Sequence, residues 1–239
     1  MRHKLSLLVM VGVMVFLISG CNRFLVGPTE TETRTIELGK AETVQANIEM
    51  GIGELNLSGG ASNLLDAEFT YNVAEWKPEV TYEVSGSRGR LNVKQPAYEF
   101  EGIPDDDVEY TWNLSLSDEV PLNLDIDLGV GESNIDLAGL NLTELDVTTG
   151  VGQSTIDLSG DWDEGFDVRI KGGVGDTTII LPREVGVFVE LNTGIADVEV
   201  FGLVREGDNY RNDVYDQSDV TINVEVDGGI GQIELRLSE

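Results

Sequence analysis

Histidine and cysteine are almost absent from this 239-residue chain, which holds one of each, His3 and Cys21, both within its first 21 residues. Beyond that point no Ser-His or Cys-His couple can form, no histidine can ligate zinc, and a lone thiol cannot close an intrachain disulfide. Positive charge is scarce too: 15 Lys and Arg face 44 Asp and Glu, for a net charge of −29. Such a surface repels nucleic acid, anionic headgroups and anionic wall polymers unless cations intervene, so no nucleic-acid partner is expected. Carboxylate chemistry alone stays open to an enzyme. A glycosidase needs two carboxyls roughly 5 to 10 Å apart, a demand that 44 acids meet by chance. Neither catalytic residues nor a cofactor are expected. Helical periodicity is missing after residue 20, while apolar residues make up 41% of the chain and recur at strand period, so the acidity belongs to a folded surface.

What is present at the start is an address. Arg2, His3 and Lys4 precede an apolar stretch from Leu5 to Ile18, which falls short of the about 20 residues that span a bilayer and reads as a signal peptide. It ends in Leu17-Ile18-Ser19-Gly20-Cys21, which resembles the lipobox of bacterial lipoproteins. That resemblance implies cleavage before Cys21, acylation of its thiol, and an exported protein held at a membrane by its acyl chains. Two buried acyl chains give stable anchoring where one is marginal. Asn22 in place of aspartate speaks weakly against retention at an inner membrane, so an outer membrane is open where the cell has two. Residues 22–34 show no apolar period and read as the end of a tether spanning 21–34. Loss of residues 1–20 removes Arg2 and Lys4 and deepens the negative charge by two.

One element then recurs six times: Gly51-Ile52-Gly53, Gly129-Val130-Gly131, Gly150-Val151-Gly152, Gly173-Val174-Gly175, Gly194-Ile195-Ala196 and Gly229-Ile230-Gly231. The middle ones lie 21, 23 and 21 residues apart, a spacing typical of stacked repeats. Apolar residues alternate at period two before each motif, as in Leu122, Leu124, Ile126 and Leu128, and the phase carries through Val130. After the motif the alternation resumes in the opposite phase, as Ile135 and Leu137. A straight strand sends successive side chains to opposite faces and cannot reverse phase, so the glycines mark corners. A phosphate-binding role for them fails for want of a following helix or a lysine. The fold class is therefore all-β. Strand, corner, strand and loop units fit either a β-solenoid or hairpins paired into a sandwich. Near-constant repeats of about 21–23 residues with the same corner residues favour the solenoid, a single-stranded β-helix.

Upstream, Ala46-Asn47-Ile48-Glu49-Met50-Gly51-Ile52-Gly53-Glu54-Leu55-Asn56-Leu57-Ser58-Gly59-Gly60, then Leu64-Leu65, Phe69-Thr70-Tyr71-Asn72 and Trp76-Lys77-Pro78-Glu79-Val80, resemble the N-terminal module of toast-rack proteins. The repeats of 121–239 resemble the β-repeat domains of LiaF-like envelope-stress proteins and surface adhesins. The resemblance implies a toast-rack stack divided into a module at 35–120 and a repeat domain at 121–239. It supplies no catalytic motif. LiaF-like members usually carry transmembrane helices before the repeats; the lipid anchor expected here speaks against a direct part in transmembrane signalling.

Two stretches break the repeat and are where a ligand site would sit if there is one, although loops whose aromatics cover an open end or side of the stack are the favoured reading of both. The first runs from Glu101 to Trp112 and holds Asp105, Asp106, Asp107, Tyr110 and Trp112; the second runs from Phe201 to Asp219 and holds Arg205, Tyr210, Arg211 and Tyr215. Long loops carry function more often than repeats do. Gly172-Gly173-Val174-Gly175-Asp176 resembles the glycine-aspartate turn of calcium β-rolls but sets its Asp one place early and occurs once, so no metal site is expected. The resulting expectation is a non-enzymatic, lipid-anchored, extracytoplasmic β-repeat module, a scaffold, adhesin or envelope-stress component. Its partners would be the membrane and an envelope polysaccharide or envelope protein. The rival expectation is a carbohydrate-active β-helix enzyme with paired carboxylates in an aromatic-lined groove.

Overall fold

The computed structural model describes residues 26–96 and 107–239; Cys21, the residues before it, Asp105 and Asp106 lie outside the described part. The fold is all-β. Five strands come first, β1 (Glu30–Ile36), β2 (Thr43–Ser58), β3 (Leu65–Tyr71), β4 (Glu79–Ser85) and β5 (Arg88–Lys94). They are followed by β6 (Tyr110–Leu116), β7 (Leu122–Asp136), β8 (Leu142–Asp157), β9 (Asp167–Lys171) and β10 (Val174–Leu181). The last four are β11 (Gly186–Phe201), β12 (Val204–Glu206), β13 (Asn209–Arg211) and β14 (Thr221–Leu237). Among the described residues two single 3-10 turns, Ala74–Trp76 and Tyr215–Gln217, interrupt them. No helix among the described residues is long and apolar enough to cross a membrane.

The long strands β2, β7, β8, β11 and β14 each contain one glycine motif at mid-length, and β9 with β10 makes the same unit broken at Gly172-Gly173. They lie parallel and in register, motif on motif: Ile52 pairs Val130, Val130 pairs Val151, Val174 pairs Val151 and Ile230, and Ile195 pairs Ile230. Before the corner the inward residues of β7 are Leu122, Leu124 and Ile126; after it they are Ser133 and Ile135. Both arms therefore bury the same side. Loop residues Leu140, Trp162, Phe166 and Val185 enter the same core. Trp162 packs on Phe166 at 4.7 Å and donates its indole N–H to the Leu158 carbonyl at 2.9 Å. Residues on both sides of position 120 share one sheet and one core.

The phase reversal is real, but it falls earlier than the sequence pattern places it. Leu128 still leans inward, whereas Val130 already points outward with Glu132 and Asn134. The turn happens at the first glycine, and the second takes a φ between 139° and 147° at Gly53, Gly131, Gly152, Gly175 and Gly231, a region that disfavours any β-carbon. The sixth corner has Ala196 there and no positive φ. Close stacking adds a second demand for glycine. A β-carbon on Gly129, Gly150, Gly173 or Gly229 would overlap the carbonyl oxygen of the corresponding glycine in the next strand of the stack.

Strand order departs from chain order at one point. The stack runs β2, β7, β8, β9 with β10, β14, β11, so the last strand of the chain lies between β10 and β11. At the N-terminal end both arms of β2 are covered: β5 pairs the first arm and β4 pairs β5, while β6 pairs the second arm, followed by β3 and β1. Gln95 finishes that corner, its Oε1 accepting from the Gly51 and Ile52 N–H groups at 2.8 and 3.0 Å. At the C-terminal end the first arm of β11 is covered by β13 over Phe188 to Glu190, backed by β12.

Candidate functional site

The two stretches that break the repeat are built into the fold. Trp112 is fully buried and Tyr110 nearly so, in a cluster with Phe69 and Trp76 whose rings meet edge to face at 5.5 Å. Tyr110 and Trp112 open β6, and their inward alternation continues through Leu114 and Leu116. The Tyr110 hydroxyl donates to the Trp76 carbonyl at 2.7 Å, and burial pushes its pKa well above the usual phenol range, so it stays protonated. The two rings cover the second arm of β2, as the covering reading of this stretch has it. Asp107 is exposed at a turn, and its carbonyl accepts from the Asn72 amide at 2.7 Å.

The second stretch caps the first arm of β11. Asn212 is buried and acts as its clasp, its Oδ1 accepting from Val187 N–H at 3.0 Å and its Nδ2 donating to the Val185 carbonyl at 2.6 Å. Arg211 is held by Glu206 at 2.8 Å and by Asp216, which keep the guanidinium charged and in place. Tyr215 lies against Phe188 at 5.6 Å, and Tyr210 packs half-buried on the core. Arg205 pairs with Asp208 on the surface. The fold does bring Tyr210, Arg211 and Tyr215 together, as a brace for the cap.

What the corners place on the surface is a feature the sequence pattern misassigned. Val130, Val151, Val174, Ile230 and Ile195 are 48 to 77% exposed, and with half-buried Ile52 they form one ridge of aliphatic side chains in register along the stack. At about 4.8 Å per strand the ridge is about 24 Å long. Isolated exposed aliphatics are ordinary; a contiguous row marks a contact surface. The signal that could have found it is the invariance of a β-branched residue between two glycines, where the inward positions of both arms are already filled.

On either side of the ridge lie two polar faces. The outer face of the first arm carries Asn47, Asp125, Asp146 and Arg169 in register. Arg169 reaches Glu144 at 3.0 Å, Asp146 at 3.7 Å and Glu225 at 3.8 Å. The Asp125 carboxyl is held above the usual range by burial and then by Asp146, Asp127 and Glu49. The outer face of the second arm forms a shallow groove over Thr33, Glu68, Asn113, Asn56 and Asn134. There Asn56 donates to Asn113 at 3.1 Å and Asn113 to Glu68 at 3.4 Å. Asp136 and Asp157 face each other along the same face. Among the described residues no three acids converge as a metal would require.

The geometry finds its counterpart in sequence families. Residues 25–180 match the profile of the N-terminal domain of toast_rack. The chain belongs to the toast-rack family. Its residues 129–235 also match the C-terminal domain of LiaF, described as a cell wall-active antibiotics response family. Among solved structures this toast-rack protein is similar to a proposed cell adhesion protein of Clostridium sporogenes ATCC 15579. The two are 34% identical with a TM-score of 0.86, over 88% of this chain and 100% of the other. A proposed adhesin of Bacteroides fragilis NCTC 9343 is 10% identical over 87% of this chain and 97% of its own, with a TM-score of 0.30, too distant to carry an argument. No curated protein matches the sequence. Its family models and the Clostridium structure place the toast-rack protein among envelope-related β-repeat proteins.

Proposed function

We propose that the protein is a non-enzymatic module displayed outside the cytoplasm, anchored by acyl chains on Cys21, and acting as a scaffold, adhesin or envelope-stress component. The in-register stack is read as a β-solenoid whose outer faces are the working surfaces. The observation that carries the proposal is the ridge and its two flanking polar faces, which run the length of the stack and offer contact to an extended partner. The groove lined by Thr33, Asn56, Asn113, Asn134 and Glu68 presents the hydroxyl, amide and carboxylate groups that a neutral polysaccharide would hydrogen-bond. The carbohydrate-active enzyme reading is weaker, because the aromatics it would need in a groove, Tyr110 and Trp112, are in the core.

Two measurements test the proposal. The full chain should fractionate with membranes and be protease-accessible in intact cells, whereas Cys21→Ala should become soluble or keep its signal peptide. A correctly processed alanine variant that stays membrane-bound would remove the anchor. The soluble form of residues 21–239 should sediment with isolated cell envelopes, and Asn56→Ala/Asn113→Ala/Asn134→Ala should weaken that binding. Release of reducing sugar from envelope polysaccharide by the soluble form would instead support the enzyme.

A further inference from the structure

The two ends of the stack are finished differently. At the N-terminal end, the second arm of β2 is closed by β6, which sends Trp112, Leu114 and Leu116 into the core. At the other end, the second arm of β11, from Ile195 to Phe201, pairs with β14 on one side. Among the described residues no strand pairs with its other side; the capping strand β13 stops at Glu190. The inward residues Ala196, Val198 and Val200 stay half-exposed for that reason, whereas their counterpart at the covered end, Leu55, is fully buried. Ile195 and Phe201, at the two ends of the arm, are 77% and 53% exposed. A row of unsatisfied backbone groups beside half-covered aliphatics is a template for another strand.

Charge selects the occupant. The outer face of this arm carries Asp197 and Glu199; beside Asp197 lie Gln232 on β14 and then Asp176 on β10, and beside Glu199 lies Glu234, which pairs with Arg236 at 3.4 Å. Two copies of the chain pairing antiparallel about Val198 would set Asp197 against Glu199 twice, and like charges opposed across strands are unfavourable. The exposed edge at the other end, β1, has Glu30, Glu32 and Arg34 in register with the inward Tyr71, Phe69 and Ala67 of β3, so head-to-tail stacking of two copies would set charged side chains against Val198 and Val200. An added strand that alternates basic and aliphatic residues meets none of this. Its basic side chains would face Asp197 and Glu199, and its aliphatic ones would complete the cover over Val198 and Val200.

We propose that the edge of β11 over residues 195–201 is a docking site for an extended segment of another protein, about seven residues long, in which Lys or Arg alternates with aliphatic residues. The inference rests on the reading of the protein as a contact module and names one of its contacts. Failure here would leave the fractionation and envelope-binding results standing, so the two can fail separately.

The probe is the capped heptapeptide Lys-Val-Arg-Val-Lys-Val-Lys, titrated into the soluble form of residues 21–239 at about 150 mM salt, where surface charge is screened beyond about 8 Å. Saturable binding is expected, with hydrogen-exchange protection gained at the amides of 195–201. Two comparisons separate strand addition from charge attraction. A peptide of the same sequence with every second amide N-methylated keeps its charge but cannot pair, and should bind at least tenfold more weakly. Asp197→Asn/Glu199→Gln changes two exposed side chains without touching the core, and should also lose tenfold or more. Equal binding of the methylated and parent peptides, protection elsewhere than 195–201, or no saturable binding would each overturn the proposal.

Discussion

Adding one methyl group at Gly150 tests the stacked corners directly. Gly150 is not among the glycines with positive φ, so alanine there meets no intrinsic backbone penalty. The cost comes from the neighbour in the stack: the new carbon would overlap the Gly129 carbonyl oxygen and sit 2.9 Å from its carbon and 3.1 Å from its Cα. Those atoms are backbone, tied into ladders on both sides, and cannot swing away as a side chain could. Overpacking of this kind costs about 1 to 3 kcal/mol, occasionally more, and a rigid partner puts Gly150→Ala at about 3 kcal/mol. For a chain of this size each kcal/mol lowers Tm by about 2 to 4 °C, so the midpoint should fall by about 6 to 12 °C. Gly60→Ala provides the control of opposite kind. Its φ is 84° and nothing lies within 4 Å of its β-carbon, so it carries conformational strain without a clash, about 1 to 2 kcal/mol. Calorimetry on the soluble form decides between them. If Gly150→Ala costs no more than Gly60→Ala, the close register of the corners is wrong.

Val151→Thr should change stability by less than about 0.5 kcal/mol, as expected at an exposed position. The inward reading of the Gly-x-Gly centre would require a loss of more than about 1 kcal/mol in a urea titration. Asp125, raised in the fold, opposes folding when ionised at neutral pH. Lowering the pH through that raised value relieves the penalty, so the wild type should gain stability as the pH falls from neutral towards it, and Asp125→Asn should be more stable at neutral pH and show a flatter profile. A steeper profile in the variant would contradict the assignment. Sodium chloride should also raise the midpoint by screening the Asp125–Asp146 and Asp136–Asp157 ladders, and calcium at matched ionic strength should do no more; a larger rise in calcium would mean that the carboxylates share an ion.

Much of the architecture was legible because the signal was redundant. Period-two alternation, its reversal at every motif and the near-constant spacing all point to bent strands in register, and the facing pairs Asp125 with Asp146 and Asp136 with Asp157 follow from them. The direction of the central residue was not legible for a physical reason. Glycine has no side chain to mark a face, so extending the alternation across Gly129 assigns Val130 to the wrong side. Tyr110 and Trp112 misled differently. The acids before them resemble a loop, yet Tyr110, Trp112, Leu114 and Leu116 repeat the strand alternation and belong to β6. Tyr210, Arg211 and Tyr215 were located together, but nothing in their identity tells a brace from a ligand site; the clasp of Asn212 around Val185 and Val187 does. The position of β14 is beyond any periodic signal, since a repeat length fixes the size of a unit and says nothing of its neighbours.

The placement of β14 also sets an order of events. Along its second arm β11 has no partner among the described residues but β14, whose sequence begins at Thr221, twenty positions after β11 ends at Phe201. A chain emerging from its N-terminus can add β7 to β2, β8 to β7 and β10 to β8 as each appears, but β11 arrives before the surface it needs. It must wait, apolar side chains exposed, until the final strand threads into the gap beside β10. β14 therefore acts as a keystone, and its loss would also leave the second arm of β11 without its partner.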